Sequence, residues 1–315
     1  MTLSSPPSRQ LSPSRPPEAP FLGVGVGLRP SHYPEIFERL ANDPSSPSSL
    51  GVDWFELLSE NYMIRGGRPL RIARELSQQL PLVLHGVSLN IGSTDPLDDA
   101  YLDDLSRLSE LLAAHWISDH LCWTGVGGHN THDLVPLPYT AESVDHVVER
   151  VRRVQLRLGR RIALENVSSY LSYTADAMPE WEFLATIAER ADCGILLDVN
   201  NIFVSAHNHG FECDDYIAGI PPERVFQIHL AGHSESGPLL IDTHDHPVRD
   251  EVWELYAQAL RHTGPVSTLI EWDDRIPPYS ELLAEVGRAR EVLEKAWPGC
   301  SEGLCLSERA EERAE

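Results

Sequence analysis

Eight residues of this chain could do chemistry together: His85, His120, Glu165, Asp198, His229, Asp242, His244 and Glu271. Each lies at or just past the end of a short apolar run. Imidazoles and carboxylates gathered in this number would repel one another or be poorly solvated unless cations held them. Metal ions are the simplest such cations. The runs deliver the residues in order. P-L-V-L-H-G-V-S-L-N carries His85, W-I-S-D-H-L-C-W carries Asp119 and His120, and I-A-L-E-N-V-S-S-Y carries Glu165 and Asn166. I-L-L-D-V-N-N carries Asp198 and Asn201, and F-Q-I-H-L-A-G-H carries His229 and His233. I-D-T-H-D-H-P-V carries Asp242, His244 and His246, and T-L-I-E-W-D-D carries Glu271 and Asp273. A lone histidine at a strand end is more often a hydrogen-bonded core residue. The joint pattern outweighs that reading, because most of the strand ends supply a hard or borderline donor. In D-x-H, residues two apart on an extended segment face the same way, so Asp242 and His244 can reach one ion.

Zinc, iron and manganese each take about four to six donors. The set therefore fits about two or three ions if Glu165 and Glu271 bridge, since bridging carboxylates hold metals about 3.5–4 Å apart. No thiolate pair stands among the donors, which disfavours a structural zinc site. Histidine and carboxylate donors suit zinc, iron and manganese almost equally. Asp119 and His233 are the candidate catalytic residues. Asp119 is either a proton shuttle or an outer acceptor that orients a ligand, and His233, like His246, contacts substrate, holds ligands in place or is a solvated loop histidine. Glu60 and Asn61 line the pocket or cap the second strand. Cys122 reads as a small core side chain.

The elements that must position these residues alternate regularly. Strands are expected at Phe21–Gly27, Val52–Leu58, Pro81–Val87, His115–Asp119, Arg161–Asn166, Cys193–Val199, Val225–Leu230 and Thr268–Trp272. They are short and rich in Leu and β-branched residues, as buried parallel strands are. Helices are expected at Leu97–Ala114, Ala141–Leu158, Trp181–Ala191, Arg249–His262 and Tyr279–Trp297. Strand followed by helix, repeated eight times, predicts a single (β/α)8 TIM barrel of the α/β class, with its functional residues at the C-terminal ends of the strands. The barrel is assigned residues 21–298. Residues 1–20 read as a disordered Ser/Pro-rich leader and 299–315 as an acidic tail.

Bulk properties set limits. The chain has 315 residues and a net charge of −23, and its 25 basic residues read as scattered. A nucleic-acid binder would show a clustered basic footprint, so no nucleic acid is expected as partner. No run approaches the ~18 apolar residues of a membrane span, and no signal peptide is evident. Five irregularly spaced cysteines do not form a disulfide framework, so a reducing cytoplasm is the expected location.

From about Gly23 to Leu293 the chain resembles the DUF692 family, the multinuclear non-haem iron-dependent oxidases (MNIO). The motifs that carry the resemblance are G-V-G-L-R, F-E-L-L-S-E-N-Y, H-G-V-S-L-N-I-G, S-D-H-L-C-W, E-N-V-S-S-Y, L-D-V-N-N, H-L-A-G-H, D-T-H-D-H-P-V and I-E-W-D. The resemblance implies a xylose-isomerase-like barrel with three neighbouring metal sites. One would take His85, His120, Glu165 and Glu271; a second would share both glutamates and add Asp198 and His229. A third would use Asp242 and His244 with Asn201, or with Asn166 as the alternative amide. Nuclease-like relatives typically have histidine at that last position. A neutral amide there weakens the case for phosphodiester cleavage. The family implies oxidation of a ribosomally synthesised precursor peptide in natural-product (RiPP) biosynthesis, at Cys or at a C-terminal Asp. The implied cofactors are two to three iron ions in mixed Fe(II)/Fe(III) states, with dioxygen as cosubstrate. A separate leader-peptide-binding protein is the implied partner. The competing readings are a metal-dependent phosphodiesterase (endonuclease) or sugar isomerase on the same barrel, and a non-catalytic metal-binding protein. Colour separates the oxidase from the hydrolase reading, because an iron oxidase absorbs visible light and a zinc hydrolase does not.

Overall fold

The computed structural model of the protein describes residues 19–43 and 47–298. Apart from Ala19 and Pro20, the expected leader lies outside the described residues, as does the expected tail with Cys300 and Cys305. Eight parallel strands close into a barrel in the order β1 (Val24–Gly27), β2 (Phe55–Leu58), β3 (Leu82–Gly86), β4 (Ile117–His120), β7 (Ala163–Glu165), β8 (Gly194–Asp198), β9 (Val225–Leu230) and β12 (Ser267–Ile270), with β12 returning to β1. Two antiparallel hairpins stand outside the barrel sheet: β5 (Trp123–Val126) with β6 (His129–Val135), and β10 (Ser234–Ser236) with β11 (Leu239–Ile241). The helices are α1 (Tyr33–Asn42), α2 (Arg68–Leu76), α3 (Asp99–Leu112), α4 (Ala141–Leu158), α5 (Glu180–Ala191), α6 (Val199–His209), α7 (Cys213–Gly219), α8 (Asp250–Thr263) and α9 (Tyr279–Ala296).

Local chemistry explains the boundaries. Helix α4 starts where the Thr140 side chain accepts from the Ser143 N–H, and it stops at Gly159, whose φ is 65°. Its Val144, Val147, Val148, Val151 and Val154 form the buried stripe against the barrel. Helix α3 starts where Asp98 accepts from the Ala100 and Tyr101 N–H groups. All eight expected strands are present, several shorter than expected, as with Val24–Gly27 for Phe21–Gly27. Expected strand four ended at Asp119, whereas β4 runs on through His120.

The interior of the barrel is filled from below. Trp54, Val83, Trp116, Ala163, Leu196 and Leu269 form a buried cluster separate from the main core. Trp54 and Trp116 meet edge to face with ring centroids 5.9 Å apart. Room for Trp54 comes from Gly25, where a Cβ would lie 2.4 Å from the indole. Trp54→Ala is expected to destabilise the fold by about 3–5 kcal/mol, because the barrel strands cannot collapse into the void. Urea unfolding measures this, and a loss below about 1 kcal/mol would show that the plug is dispensable.

Candidate metal centre

Residues two apart on a strand face the same side. Two positions beyond the plug residues, the same strands present Glu56, His85, Ser118, Glu165, Asp198 and Glu271, all buried. Gln227 and His229 continue the pattern on β9 and are fully buried. The apolar plug thus becomes the floor of a polar mouth. Above it opens a cavity of roughly 650 Å³ lined by Glu56, His85, His120, Glu165, Asn201, Asp242, His244 and Glu271 together with rim residues such as Arg29, Tyr62 and Leu134.

Glu165 sits at the centre. Its Oε2 lies 3.3 Å from His85 Nε2 and 3.4 Å from His120 Nε2, while Oε1 lies 3.5 Å from His229 Nδ1. Glu271 Oε2 is 2.9 Å from His229 Nδ1 and 3.5 Å from His244 Nδ1. Asp242 Oδ1 is 2.6 Å from His244 Nε2. Three groups emerge with donor atoms close enough to share an ion: His85, His120 and Glu165; Glu165, Asp198, His229 and Glu271; and His244, Glu271 and Asp273. In this geometry Glu271 joins the second and third groups, and Glu165 joins the first and second.

The decisive feature is what these atoms lack. Glu165 Oε2, Asp198 Oδ2, Asn201 Oδ1, His229 Nδ1, His244 Nε2 and Glu271 Oε2 are buried and have no aligned hydrogen-bond partner. Four of the six meet only the imidazole or carboxylate facing them, and Asp198 Oδ2 and Asn201 Oδ1 meet nothing, a burial that costs about 1–3 kcal/mol for each unsatisfied atom. All six, aimed into one mouth, fit a cationic occupant that would satisfy them together.

The other atoms of the same side chains are held. His85 Nδ1 is 2.9 Å from Ser118 Oγ, and His120 Nδ1 donates to the Gly86 carbonyl at 3.1 Å. Both arrangements turn Nε2 towards Glu165. His229 Nε2 faces Glu56 Oε2 at 3.2 Å, leaving Nδ1 in the mouth. Gln227 Nε2 donates to the same Glu56 oxygen at 2.6 Å, while its own Oε1 accepts from Trp116 Nε1. Asp198 spends Oδ1 on the Asn201 N–H, capping α6, and keeps Oδ2 free. Asn201 Nδ2 donates to the Asn166 carbonyl, which turns its Oδ1 into the mouth. Asn166 differs: both ends of its amide are bonded to the Asp198 backbone, so it clips β7 to β8.

The loop carrying Asp242 and His244 does not follow simple alternation. His244 has φ 48°, a left-handed conformation that a non-glycine residue adopts only when its surroundings hold it. Its N–H donates to the Gly232 carbonyl at 3.0 Å, and its carbonyl accepts from the Asp273 N–H at 2.9 Å. Gly232 admits this loop, since a Cβ there would lie 2.1 Å from the His246 carbonyl oxygen. Asp242 and His244 thus meet on a loop that turns at His244.

Electrostatics follow from burial and neighbours. Burial lowers the pKa of His85, which favours the neutral ring. Burial opposes charge on His229 and His244 too, but the surrounding carboxylates, Glu271 prominent among them, outweigh it and raise both well above the usual range. Asp198 is pushed well up by burial and by Glu165 and Asp242.

Asp119 and His233 are not brought to the mouth. Asp119 lies on the opposite side of β4 from His120. Its Oδ2 accepts from the Leu89 N–H at 3.1 Å, and burial raises its carboxyl to about 7. His233 stacks on Phe203, and its Nδ1 is 2.7 Å from Asn200 Oδ1; Asn200 Nδ2 in turn donates to Asp242. His246 pairs with Asp245. Glu60 accepts from the Val87 N–H and the Tyr101 hydroxyl, bracing the loop after β3, while Asn61 lines the mouth. Sequence reasoning missed Glu56, Gln227 and Asn200 and gave Asp273 no role. Glu56 and Gln227 were detectable as polar residues inside otherwise apolar strands, in register with a histidine or a strand end.

Residues 23–294 match the profile of a family described as RiPP precursor modification enzyme MbnB/TglH/ChrH. The chain is 54% identical over 283 residues to a UPF0276 protein of Anaeromyxobacter sp. (strain Fw109-5), covering 90% of this chain and 97% of that one. It is 49% identical over 271 residues to a UPF0276 protein of Caulobacter vibrioides (strain NA1000 / CB15N), covering 86% and 94%. Among solved structures it is similar to endonuclease IV from Thermus thermophilus, with TM-score 0.56, 18% identity and coverage of 87% and 99%. It is similar also to an L-ribulose 3-epimerase, with TM-score 0.56, 14% identity and coverage of 90% and 98%. At such identities these structures establish the xylose-isomerase-like barrel and nothing of the reaction.

Proposed function

The chain belongs to the family of RiPP precursor modification enzymes MbnB/TglH/ChrH, and from that premise we propose that it is a multinuclear iron oxidase acting on a ribosomally made peptide. The observation that carries the metal part is the set of six buried donor atoms facing one mouth, none of which has an aligned hydrogen-bond partner. We assign His85, His120 and Glu165 to one ion, and Glu165, Asp198, His229 and Glu271 to a second. Asp242, His244 and Asn201 serve a third, with Asp273 accepting from His244 Nδ1–H and fixing its tautomer. Asn201 is preferred to Asn166 because its amide oxygen is free. Asp119 and His233 act as positioning residues.

Iron held there supplies one-electron redox chemistry with dioxygen that no side chain of the mouth can perform. The chain does the rest. Ser118, Gly86 and Glu56 orient the imidazoles, the tryptophan plug closes the floor against water, and the cavity leaves room for one peptide side chain above Glu165 and Glu271. A Cys, or a C-terminal Asp, is the proposed target, because thiolate and carboxylate are themselves ligands for iron. A separate protein that captures the precursor's leader is the proposed partner. Free Cys122, Cys193 and Cys213 fit work in the reducing cytoplasm. Among the described residues no helix is long and apolar enough to cross a membrane.

Asp242→Ala is expected to remove about one metal per chain and to spare the other two groups, which do not depend on that carboxylate. Metal analysis by plasma emission reads this out, and loss of all metal would contradict three separable sites. The functional test is co-expression with the precursor gene encoded nearby, with and without the candidate partner, followed by mass spectrometry of the peptide. An oxidative mass change at Cys or Asp, dependent on iron and dioxygen, is expected. An unmodified precursor together with metal-dependent cleavage of abasic DNA would overturn the proposal.

A further inference from the structure

We propose that a groove along α2 binds an acidic segment of the peptide substrate and leads it to the mouth; this rests on the peptide-modifying reading. Along the sequence the basic residues read as scattered, but helix geometry corrects that impression. Arg68, Arg71 and Arg74 recur every three residues and share one face of α2, with Arg65 just before it. All four are exposed, and among the described residues none has an ion-pair partner. Elsewhere most arginines are paired: Arg29 with Asp273, Arg107 with Asp104, Arg161 with Asp192, Arg249 with Glu235 and Arg290 with Asp53. An unneutralised basic stripe is unusual on a chain whose net charge is −23. It offers a surface that attracts, rather than repels, a negatively charged ligand.

The stripe borders a groove of roughly 800 Å³ between α2 and α3, lined by Gly66, Gly67, the three helical arginines and Leu111. Glu75 is the single acidic residue of its lining. Leu111 is 38% exposed, and Ile64 nearby is 49% exposed, so apolar side chains of a ligand also find contacts. A bare anion would use neither. A peptide with glutamates or aspartates and an occasional large apolar residue uses both. The groove also adjoins the site. Helix α2 begins on the mouth side of the barrel, Pro69 lines the mouth cavity, and its neighbours Arg68 and Leu70 line the groove. A chain lying along α2 therefore has its end at the mouth.

The experiment uses the full-length protein and a fluorescein-labelled Glu-rich peptide with spaced leucines, read by fluorescence anisotropy at low ionic strength. A Lys-rich peptide of equal length is the control. Wild type is expected to bind the Glu-rich peptide, and any binding of the Lys-rich peptide to the acidic remainder of the chain should not fall when the α2 arginines are reversed. Arg68→Glu/Arg71→Glu/Arg74→Glu is expected to weaken binding about tenfold or more, with melting temperature and metal content unchanged. The Gln triple variant should weaken it in the same direction by less. Arg153→Glu/Arg261→Glu, which alters two exposed, unpaired arginines on other helices, should leave binding as it is. Equal effects of the two charge-reversal variants would overturn the groove, as would displacement of the peptide by polyuridylate at equal strength. Binding needs neither metal nor turnover. Mass spectrometry of the precursor reports separately on the oxidase reading, so either claim can fail without the other.

Discussion

Glu165→Gln is expected to cost the protein more than one metal per chain, although it changes a single atom. The two carboxylate oxygens of Glu165 face different groups: Oε2 faces His85 and His120, and Oε1 faces His229. An amide keeps the shape but offers one oxygen, and its nitrogen would set a donor against an imidazole that must itself donate a lone pair. Two neighbouring ions would also lose the negative charge that screens them from each other. The barrel should stay folded, because Glu165 stands above the plug rather than in it. Metal per chain and visible absorption of the iron-loaded variant measure the effect. Loss of one metal only, matching Asp242→Ala, would show that Glu165 does not bridge.

Metal uptake is expected to depend steeply on pH, with affinity rising as pH rises. His229 and His244 are held protonated by the carboxylates around them, and Asp198 is held protonated by burial among like charges. The raised pKa values mean that protons occupy the site when metal does not, and each incoming ion must displace them. Each proton displaced adds about tenfold in affinity per pH unit, so the three groups together give up to about a thousandfold while all of them still titrate. Chelator competition between about pH 6 and pH 8 measures the slope. A flat profile would mean that the imidazoles and Asp198 are already deprotonated before metal arrives.

Much of this centre was legible in the sequence because the barrel converts strand ends into site positions. His85, His120, Glu165, Asp198, His229 and Glu271 follow or end runs whose burial allows no solvent-facing alternative. The hairpin β5–β6 was not legible: His129–Val135 is mostly exposed and polar, with no buried face to impose a period of two. Helix α6 was missed for the opposite reason. Val199, Asn200, Asn201, Ile202, Val204, Ser205 and Ala206 are all buried, so it has little polar stripe to mark a helical period. The approach of Asp242 to His244 was anticipated from alternation, whereas the left-handed backbone at His244 was not. The choice between Asn166 and Asn201 depends on which amide oxygen is left free, and that is visible only once the backbone partners are in place. The alignment of arginines on α2 likewise needs the helix, whose existence the short arginine-rich segment did not announce.

The metal content of the intact chain tests the multinuclear centre most directly. Protein expressed with iron and purified without oxygen, then analysed by plasma emission and Mössbauer spectroscopy, is predicted to hold about two to three irons per chain, at least two of them magnetically coupled through bridging ligands. Stoichiometric zinc with no bound iron, in protein that modifies its precursor fully, would contradict it.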